Sequence, residues 1–140
     1  MFMKYFIFDE FFFSAVADAC GINNVPAPDQ KQFIRGNIML LVDNVLDPIR
    51  EHLKTAISIN SGFRCLRLNE LVGGSMSSQH LIGRAADFSI AGMSPKEYKE
   101  LAFWCADNLD FDQMIVYARK RFIHVSYVSP ESNRHEVLFT

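Results

Sequence analysis

The order of the periodic patterns along this chain is the feature that most limits its fold. Helical periodicity dominates the first part, and most strand-like runs come later, without the regular strand and helix alternation that builds a parallel sheet. The strand-like runs are short and lie at residues 56–60, 84–90, 113–117, 122–128 and 135–139. This order predicts an α+β domain with a largely antiparallel sheet and helices packed on it.

Two longer helices are predicted in the body of the chain. Over residues 30–54, apolar side chains recur every three or four positions and form one buried stripe of a helix that Pro48 is expected to kink or end. Over residues 94–108, Ser94 and Glu97 form a capping box at the start of a second amphipathic pattern. Both helices are expected to form scaffold.

The N-terminal segment is apolar enough to suggest a membrane anchor or a signal peptide, but two acidic residues interrupt it. The charge-free runs on either side, residues 5–8 and 11–17, are shorter than the roughly 20 residues that a membrane helix needs. The pattern instead predicts a helix over residues 11–20, with Asp9 as N-cap and Gly21 at its end. We therefore expect no membrane insertion, no signal peptide and synthesis in the cytoplasm.

Composition excludes several classes of protein. A length of 140 residues with 49% apolar side chains suits one domain over residues 1–140. The 14 Lys and Arg against 16 Asp and Glu give a net charge of -2, so no basic excess is present to bind nucleic acid. The widely spaced Cys20, Cys65 and Cys105 fit neither a disulfide scaffold nor a cysteine zinc site. Each is expected to be a small buried apolar residue.

Two histidines and one aspartate stand on segments that a sheet can bring together. Asp87 alternates with Ala86 and Phe88, so its side chain is expected on the polar face of its strand. His124 occupies the polar face of a later strand, and His80 lies seven residues before Asp87. If the two strands are neighbours, the three side chains suit zinc and leave a fourth position open, as in catalytic sites. On residue types alone, a hydrogen-bonded structural role is the commoner one for such histidines.

A wider motif surrounds these residues. The pattern S-x-H-x-x-G-x-A-x-D is matched by Ser78, His80, Gly83, Ala85 and Asp87, and a His-Val-Ser run follows at residues 124–126. Together they resemble the M15 zinc peptidases, the D-Ala-D-Ala carboxypeptidase family, whose fold is shared by the hedgehog signalling domain. Further similarities span nearly the whole chain, at residues 21–26, 61–64, 69–75, 111–113 and 133–134. The last two resemble landmarks of a small phage-associated subgroup.

The resemblance implies a hedgehog-like or DD-peptidase-like fold and one Zn²⁺ per chain. It gives His80, Asp87 and His124 as the metal ligands and Arg64 as the residue that binds a substrate carboxylate. Arginine suits that role because its planar fork donates two parallel hydrogen bonds to a carboxylate. The alternative for Arg64 is an ordinary solvated charge.

Two further polar residues are candidates for substrate binding, and each has a structural alternative. Ser78 either hydrogen-bonds the substrate or orders the loop before His80. Gln113 either contacts the substrate or satisfies backbone groups near the site.

The sequence departs from the family at the general base. M15 enzymes usually carry Glu or Asp three or about six residues before the last histidine ligand, and here Arg121 and Ala118 occupy those positions. Neither side chain accepts a proton from water. Because a general base contributes roughly 10²–10⁴-fold, we expect a slow hydrolase assisted by Asp112, Tyr117 or Glu136.

The expected function is zinc-dependent hydrolysis of peptidoglycan stem or crosslink peptides, in the manner of a D-Ala-D-Ala carboxypeptidase or an endolysin. The phage-like landmarks imply action on the cell wall after release through a membrane pore or delivery with a virion. Two alternatives stay open. One is a non-catalytic, zinc-containing peptidoglycan-binding module of the same fold, and the other is an α+β interaction domain without a metal. The sequence predicts no oligomeric state.

Overall fold

The computed structural model describes residues 3–140, in which short helices surround one sheet. The helices are α1 (Phe8–Phe12), α2 (Ala15–Ala19), α3 (Lys31–Leu41), α4 (Asp47–Leu53), α5 (Leu66–Leu71) and α6 (Pro95–Asn108). A π-helical turn at Val42–Leu46 joins α3 to α4, and a 3-10 helix lies at Gln79–Ile82. The strands are β1 (Ser58–Ser61), β2 (Ala85–Ser89), β3 (Gln113–Tyr117), β4 (Phe122–Ser126) and β5 (Glu136–Phe139).

The five strands form one sheet in the order β1-β2-β4-β3-β5. Neighbouring strands are antiparallel except β3 and β5, which run parallel. The predicted α+β architecture with a largely antiparallel sheet is therefore confirmed. Strand β3 has the predicted bounds, whereas β4 ends at Ser126 rather than at residue 128, and β1 begins at Ser58 rather than at residue 56.

The sheet has an apolar face and a polar face. Phe88, Val116 and Ile123 are fully buried on the apolar face and share one hydrophobic core with side chains of α3 and α6. Each such side chain stabilises the fold by about 1.5–3 kcal/mol relative to an exposed one. Alternation turns Asp87 and His124 to the opposite face, where they are only partly buried. The polar face of the sheet is thus the face that a ligand can approach.

The N-terminal helical region is divided into two short helices. The predicted helix over residues 11–20 with Asp9 as N-cap is wrong, because α1 ends before Ser14 and α2 begins after it. The Ser14 hydroxyl accepts a hydrogen bond from Ala17 N–H at 3.1 Å, which caps α2 and interrupts the helical path. Gly21 has a φ of 67° and does occupy the predicted left-handed position.

The long helix does not end at Pro48. Its path continues from Lys31 to Leu53 through the π-helical turn, which lies just before the proline. In this turn the N–H of Asp47 bonds to the carbonyl of Val42, five residues back. The wider turn accommodates the missing N–H of the proline while the apolar stripe stays in the core.

The cysteines differ from one another in burial. Cys105 is buried in the core, and burial raises the pKa of its thiol to about 12. Cys65 is only partly buried and Cys20 is exposed, so the prediction of three buried cysteines is wrong for Cys20. Cys20 caps the C-terminus of α2, which ends at the surface, and no neighbouring element covers it.

Short helices escaped prediction because they contain too few turns for a periodic pattern. Helix α5 has 6 residues and the 3-10 helix has 4, and neither was expected. Within residues 3–140, every helix lacks the length and apolar character that crossing a bilayer requires.

Candidate metal centre

Strand pairing brings the predicted polar positions together. Strands β2 and β4 are neighbours, and their antiparallel register places Asp87 directly opposite His124. His124 Nδ1 lies 2.9 Å from Asp87 Oδ1, and His80 Nε2 lies 3.4 Å from the same oxygen. One ligand atom from each residue lies within 4.8 Å of the other two. The group is therefore compact enough to hold one metal ion.

His80 reaches the strands from the 3-10 helix that precedes β2. Ser78 caps this helix, since its hydroxyl accepts a hydrogen bond from the His80 N–H at 3.2 Å. The helix ends at Gly83, whose φ of 75° is left-handed. A Cβ at Gly83 would lie 2.8 Å from the carbonyl oxygen of Ile34 in α3. A glycine at this position thus lets the turn that carries His80 pack directly on α3.

Hydrogen bonding leaves one nitrogen of His80 available to a metal. Nδ1 lies 2.7 Å from the carbonyl oxygen of Gly62, and because a carbonyl only accepts, Nδ1 carries the proton. In the neutral ring Nε2 then holds a lone pair. His80 is 3% exposed, and among the described residues its Nε2 is a buried polar atom without a hydrogen-bond partner. Burying a polar atom without a partner costs free energy, which a bound ligand would offset. The site therefore fits a metal.

The carboxylate of Asp87 is ionised in this setting. Burial by itself raises the pKa of Asp87, but the hydrogen bond from His124 and the electrostatic effect of the two nearby imidazoles outweigh that effect. The pKa of Asp87 is therefore well below its usual range. One ionised carboxylate beside two imidazoles is a ligand set for a divalent first-row metal.

Arg64 lies beside Asp87, in the loop between β1 and α5. Its Nη2 is 3.8 Å from Asp87 Oδ2, and its side chain is 17% exposed. Nε donates to Ser61 Oγ at 3.3 Å, and Nη1 donates to Asn69 Oδ1 at 3.2 Å. Burial lowers the pKa of Arg64 and the charge of Asp87 opposes that change, and the guanidinium remains a cation at neutral pH. Arg64 is thus a fixed, mostly buried cation rather than a freely solvated one.

A buried asparagine supports the backbone on both sides of Arg64. Asn24 is 6% exposed, and its Nδ2 donates to the carbonyl oxygens of Phe12 at 3.0 Å and Phe63 at 2.9 Å. Its Oδ1 accepts a hydrogen bond from Cys65 N–H at 2.8 Å. Sequence reasoning gave Asn24 no role, because contacts across 41 residues leave no local pattern.

Asp112 precedes β3 and is fully engaged by other side chains. Arg134 donates to it from Nε at 3.0 Å, from Nη2 at 2.9 Å and from its backbone N–H at 3.0 Å. Gln79 Nε2 donates at 2.9 Å. The hydrogen bonds from Arg134 hold the pKa of Asp112 well below its usual range, against an opposing effect of burial. A carboxylate with such a low pKa is a weak proton acceptor. This geometry therefore favours a structural role for Asp112 over the role of general base.

The remaining predicted residues lie along β3 and β5. Gln113 Nε2 donates to Glu136 Oε1 at 2.6 Å, and the N–H of Gln113 donates to Ser126 Oγ at 3.1 Å. The amide of Gln113 therefore binds a side chain rather than the backbone. The ring of Tyr117 stacks on Phe122 with centroids 4.4 Å apart, which fixes the direction of its phenol.

An open cleft of about 650 Å³ joins these parts of the site. Eight residues that sequence reasoning selected line it, namely Arg64, Ser78, His80, Asp87, Asp112, Gln113, Tyr117 and His124. Glu136 stands beside the cleft through its bond to Gln113. Gln79 and Arg134 also line it, and sequence reasoning assigned them no role. The one signal for Arg134 was its place in a landmark of the resemblance, and Gln79 carried no signal beyond its place next to His80.

Comparison with known proteins bears on most of this site. A search of curated proteins found no match. The family model described as Peptidase M15 matches residues 4–126, a range that contains the three candidate metal ligands and Arg64 and ends before Arg134. The phage-associated subgroup stays a prediction. Because the match covers most of the 140 residues, the chain belongs to the peptidase M15 family.

Proposed function

We propose that this chain is a zinc-dependent peptidase that hydrolyses stem or crosslink peptides of peptidoglycan. The observation that carries the proposal is the convergence of His80, Asp87 and His124 in an open cleft that Arg64 also lines. Membership of a peptidase family supports peptide hydrolysis as the reaction. The resemblance of the motifs to the D-Ala-D-Ala carboxypeptidases supports a wall peptide as the substrate.

The donor set supports zinc as the metal. Two imidazole nitrogens and one carboxylate oxygen are typical ligands of catalytic zinc, which keeps a further position open. His80, Asp87 and His124 would hold the ion, and the bond from His80 Nδ1 to Gly62 keeps Nε2 ready to bind it. When bound, zinc supplies a Lewis acid that polarises the scissile carbonyl and makes water acidic enough to react near neutral pH.

Arg64 would bind a carboxylate of the substrate and so set the register of the peptide. Its hydrogen-bonding partners Ser61 and Asn69 are neutral, so they orient the guanidinium without cancelling its charge. Arg64 Nη2 lies 3.8 Å from Asp87 Oδ2, so a carboxylate bound to Arg64 would lie next to the proposed metal ligands. Binding of its terminal carboxylate at this position would bring a peptide bond near the C-terminus of the substrate into the cleft.

The general base is proposed from the candidates that lie in or beside the cleft. Asp112 is weakened as a base by its bonds to Arg134, whereas Tyr117 lines the cleft and Glu136 accepts one hydrogen bond from Gln113. Turnover should be measured in Asp112→Asn, Tyr117→Phe and Glu136→Gln. We expect modest activity in the parent and a reduced rate in at least one variant. Equal turnover in the parent and all three variants would exclude this choice of base.

A second candidate function is a zinc-containing module that binds wall peptides without cleaving them. The observation that favours it is the chemistry at the usual positions of the base. Ala118 is 5% exposed and has no titratable group, and Arg121 is a cation whose backbone is left-handed, with a φ of 59°. Turnover separates this candidate from the peptidase.

The decisive experiment is digestion of purified peptidoglycan by the zinc-loaded chain, with mass analysis of the released fragments. We expect fragments that differ from the undigested wall by cleavage of a stem or crosslink peptide bond. A folded His124→Ala variant serves as the control, because it lacks one proposed ligand. If the zinc-loaded parent bound the wall and released no fragment, the binding module would be favoured over the peptidase.

The biological setting that we propose is lysis of a bacterial wall or its penetration by a bacteriophage. This proposal rests on the similarity of residues 111–113 and 133–134 to phage-associated relatives. Peptidoglycan is the proposed partner, and the net charge of -2 argues against nucleic acid as another.

A further inference from the structure

Asn69 is the most deeply buried polar side chain next to Arg64. It is fully buried, and both ends of its amide are used. Oδ1 accepts a hydrogen bond from Arg64 Nη1 at 3.2 Å, and Nδ2 donates to the carbonyl oxygen of Ser75 at 2.9 Å. Its main chain is fixed as well, since Gly74 N–H donates to the Asn69 carbonyl at 2.8 Å. The amide therefore has one orientation, set by the loop rather than by Arg64.

The loop around Gly74 closes tightly on this amide. A Cβ at Gly74 would lie 2.1 Å from Asn69 Oδ1 and 3.0 Å from Arg64 Nη1. A side chain of any other residue would therefore displace the amide, the guanidinium or the loop. The contact joins residues 69–75 to Arg64 as one packed unit beside the cleft.

The neutrality of Asn69 matters because of what else Arg64 faces. The nearest anion to the guanidinium is Asp87, at 3.8 Å from Nη2. A metal bound at Asp87 would compete with Arg64 for the negative charge of that carboxylate. A carboxylate in place of the Asn69 amide would pair with Arg64 and cancel its charge at short range. An amide oxygen aligns the guanidinium through one hydrogen bond and leaves the charge available to a ligand.

We propose that Asn69 is a positioning residue that presents the Arg64 guanidinium to the cleft and thereby sets the affinity for peptides that end in a free carboxylate. The proposed function supplies the identity of the substrate, whereas the orientation of Arg64 by Asn69 does not depend on it. The two parts are therefore tested by different measurements.

The orientation is tested by NMR on the ¹⁵N-labelled chain. The Arg64 Nη–H signals are assigned by their absence in Arg64→Lys, and the exchange of the Nη1 protons with solvent is measured in the parent and in Asn69→Ala, because Nη1 is the atom that donates to Asn69 Oδ1. We expect exchange at Nη1 to be at least about tenfold faster in Asn69→Ala, because the hydrogen bond from Nη1 to Asn69 Oδ1 is gone while the bond from Nε to Ser61 remains. Asn44→Ala is the matched control, since Asn44 bonds only to the carbonyl of Leu40 in the long helix. Equal exchange in the parent and Asn69→Ala would overturn the proposal.

The consequence is tested with an N-acetylated D-Ala-D-Ala peptide and its C-terminal amide. Binding of both is measured by calorimetry, so the test requires no turnover. We expect the parent to prefer the free acid, and Asn69→Ala to lose about tenfold of affinity for the free acid with little change for the amide. Equal losses of affinity for the free acid and the amide in a folded Asn69→Ala variant would overturn the proposal.

Asn69→Asp keeps the inference testable if the alanine variant does not fold. It retains an oxygen acceptor for Arg64 Nη1 and adds a negative charge, so we expect slow exchange at Arg64 Nη1 together with weak binding of the free acid. Parent-like affinity for the free acid would overturn the proposal. If neither the parent nor any variant cleaved wall peptides, the proposed function would be contradicted. The NMR measurement would still test whether Asn69 orients Arg64.

Discussion

Two arginines line the same cleft, and they differ in what holds them. Arg64 has a side chain that is 17% exposed and hydrogen bonds to two neutral groups, those of Ser61 and Asn69. Arg134 is 53% exposed and donates two side-chain hydrogen bonds to the buried carboxylate of Asp112. Among the described residues, the only anion near Arg64 is Asp87, 3.8 Å away and without a hydrogen bond to it, so its charge can still bind a ligand, whereas the charge of Arg134 is paired with Asp112 within the fold.

This difference divides the cleft into two parts. The chemical half contains Arg64 and the candidate metal ligands, and the structural half contains Arg134, Asp112 and Gln79. Arg64 lies next to Asp87 and within the matched family range, whereas Arg134 lies after residue 126, where that match ends. Asp112 connects Arg134 to Gln79, the neighbour of the candidate ligand His80. The structural half therefore supports the turn that carries His80 through the bond between Asp112 and Gln79.

The largest expected effect is on substrate use in Arg64→Lys. Lysine keeps the charge and loses the planar fork, so we expect kcat/KM on a free-acid stem peptide to fall by about 10–100-fold, with the zinc content unchanged. Arg67→Lys is the matched control, because Arg67 is exposed on the neighbouring helix α5. Equal kinetics for Arg64→Lys and the parent would show that Arg64 does not bind the substrate.

The opposite pattern is expected at the other end of the cleft. Asp112→Asn removes the charge that Arg134 pairs with, so we expect the free energy of unfolding to fall by about 1.5 kcal/mol in denaturant titrations. Turnover should change less than in Arg64→Lys. Asp110→Asn is the control, since Asp110 is exposed two residues away. A drop in turnover without a drop in stability would restore Asp112 as a candidate base.

Comparison of the parent with Asp112→Asn also tests how the free energy of unfolding depends on pH. The pKa of Asp112 is lowered in the folded chain, so the stabilising effect of its ion pair is full above its ordinary pKa of about 3.9, declines as the pH falls below that value and is lost as the pH falls through the lowered pKa. The difference in free energy of unfolding between the parent and Asp112→Asn should be full near about pH 6 and shrink between about pH 4 and pH 2. A difference that stays constant over this window would show that Asp112 has an ordinary pKa.

The smallest expected effect is at Ser78. Its hydroxyl caps the 3-10 helix of His80, so Ser78→Ala should lower the free energy of unfolding by about 1 kcal/mol and leave KM nearly unchanged. Ser94→Ala measures the cost of a comparable cap at α6, far from the cleft. A rise in KM without a loss of stability would instead indicate that Ser78 binds the substrate.

The sequence predicted the parts of this molecule that local patterns encode. Alternation placed Asp87 and His124 on one face, and the capping box of Ser94 and Glu97 marked the start of α6. The division of the N-terminal helix at Ser14 was missed, because a serine in an apolar run is as compatible with a helix as with a cap.

The supports of the site were beyond the reach of local patterns. Asn24 bonds to groups 12 to 41 residues away, and Asp112 meets Gln79 and Arg134 across 33 and 22 residues. Such contacts exist only after the sheet and helices have packed, and no periodicity reports them. The motif around His80 gave the candidate ligands without revealing that Gly62 fixes the tautomer of the ring.

Metal analysis of the purified chain tests the central claim most directly. The parent and folded His80→Ala, His124→Ala and His52→Ala variants are loaded with zinc, freed of excess metal and measured for zinc per chain. His52 is the control histidine, because its ring stacks on Trp104 with centroids 3.8 Å apart and lies outside the cluster. We expect about one zinc per chain in the parent and in His52→Ala, and close to none in the other two variants. Parent-like zinc in folded His80→Ala and His124→Ala would contradict the assignment of this site.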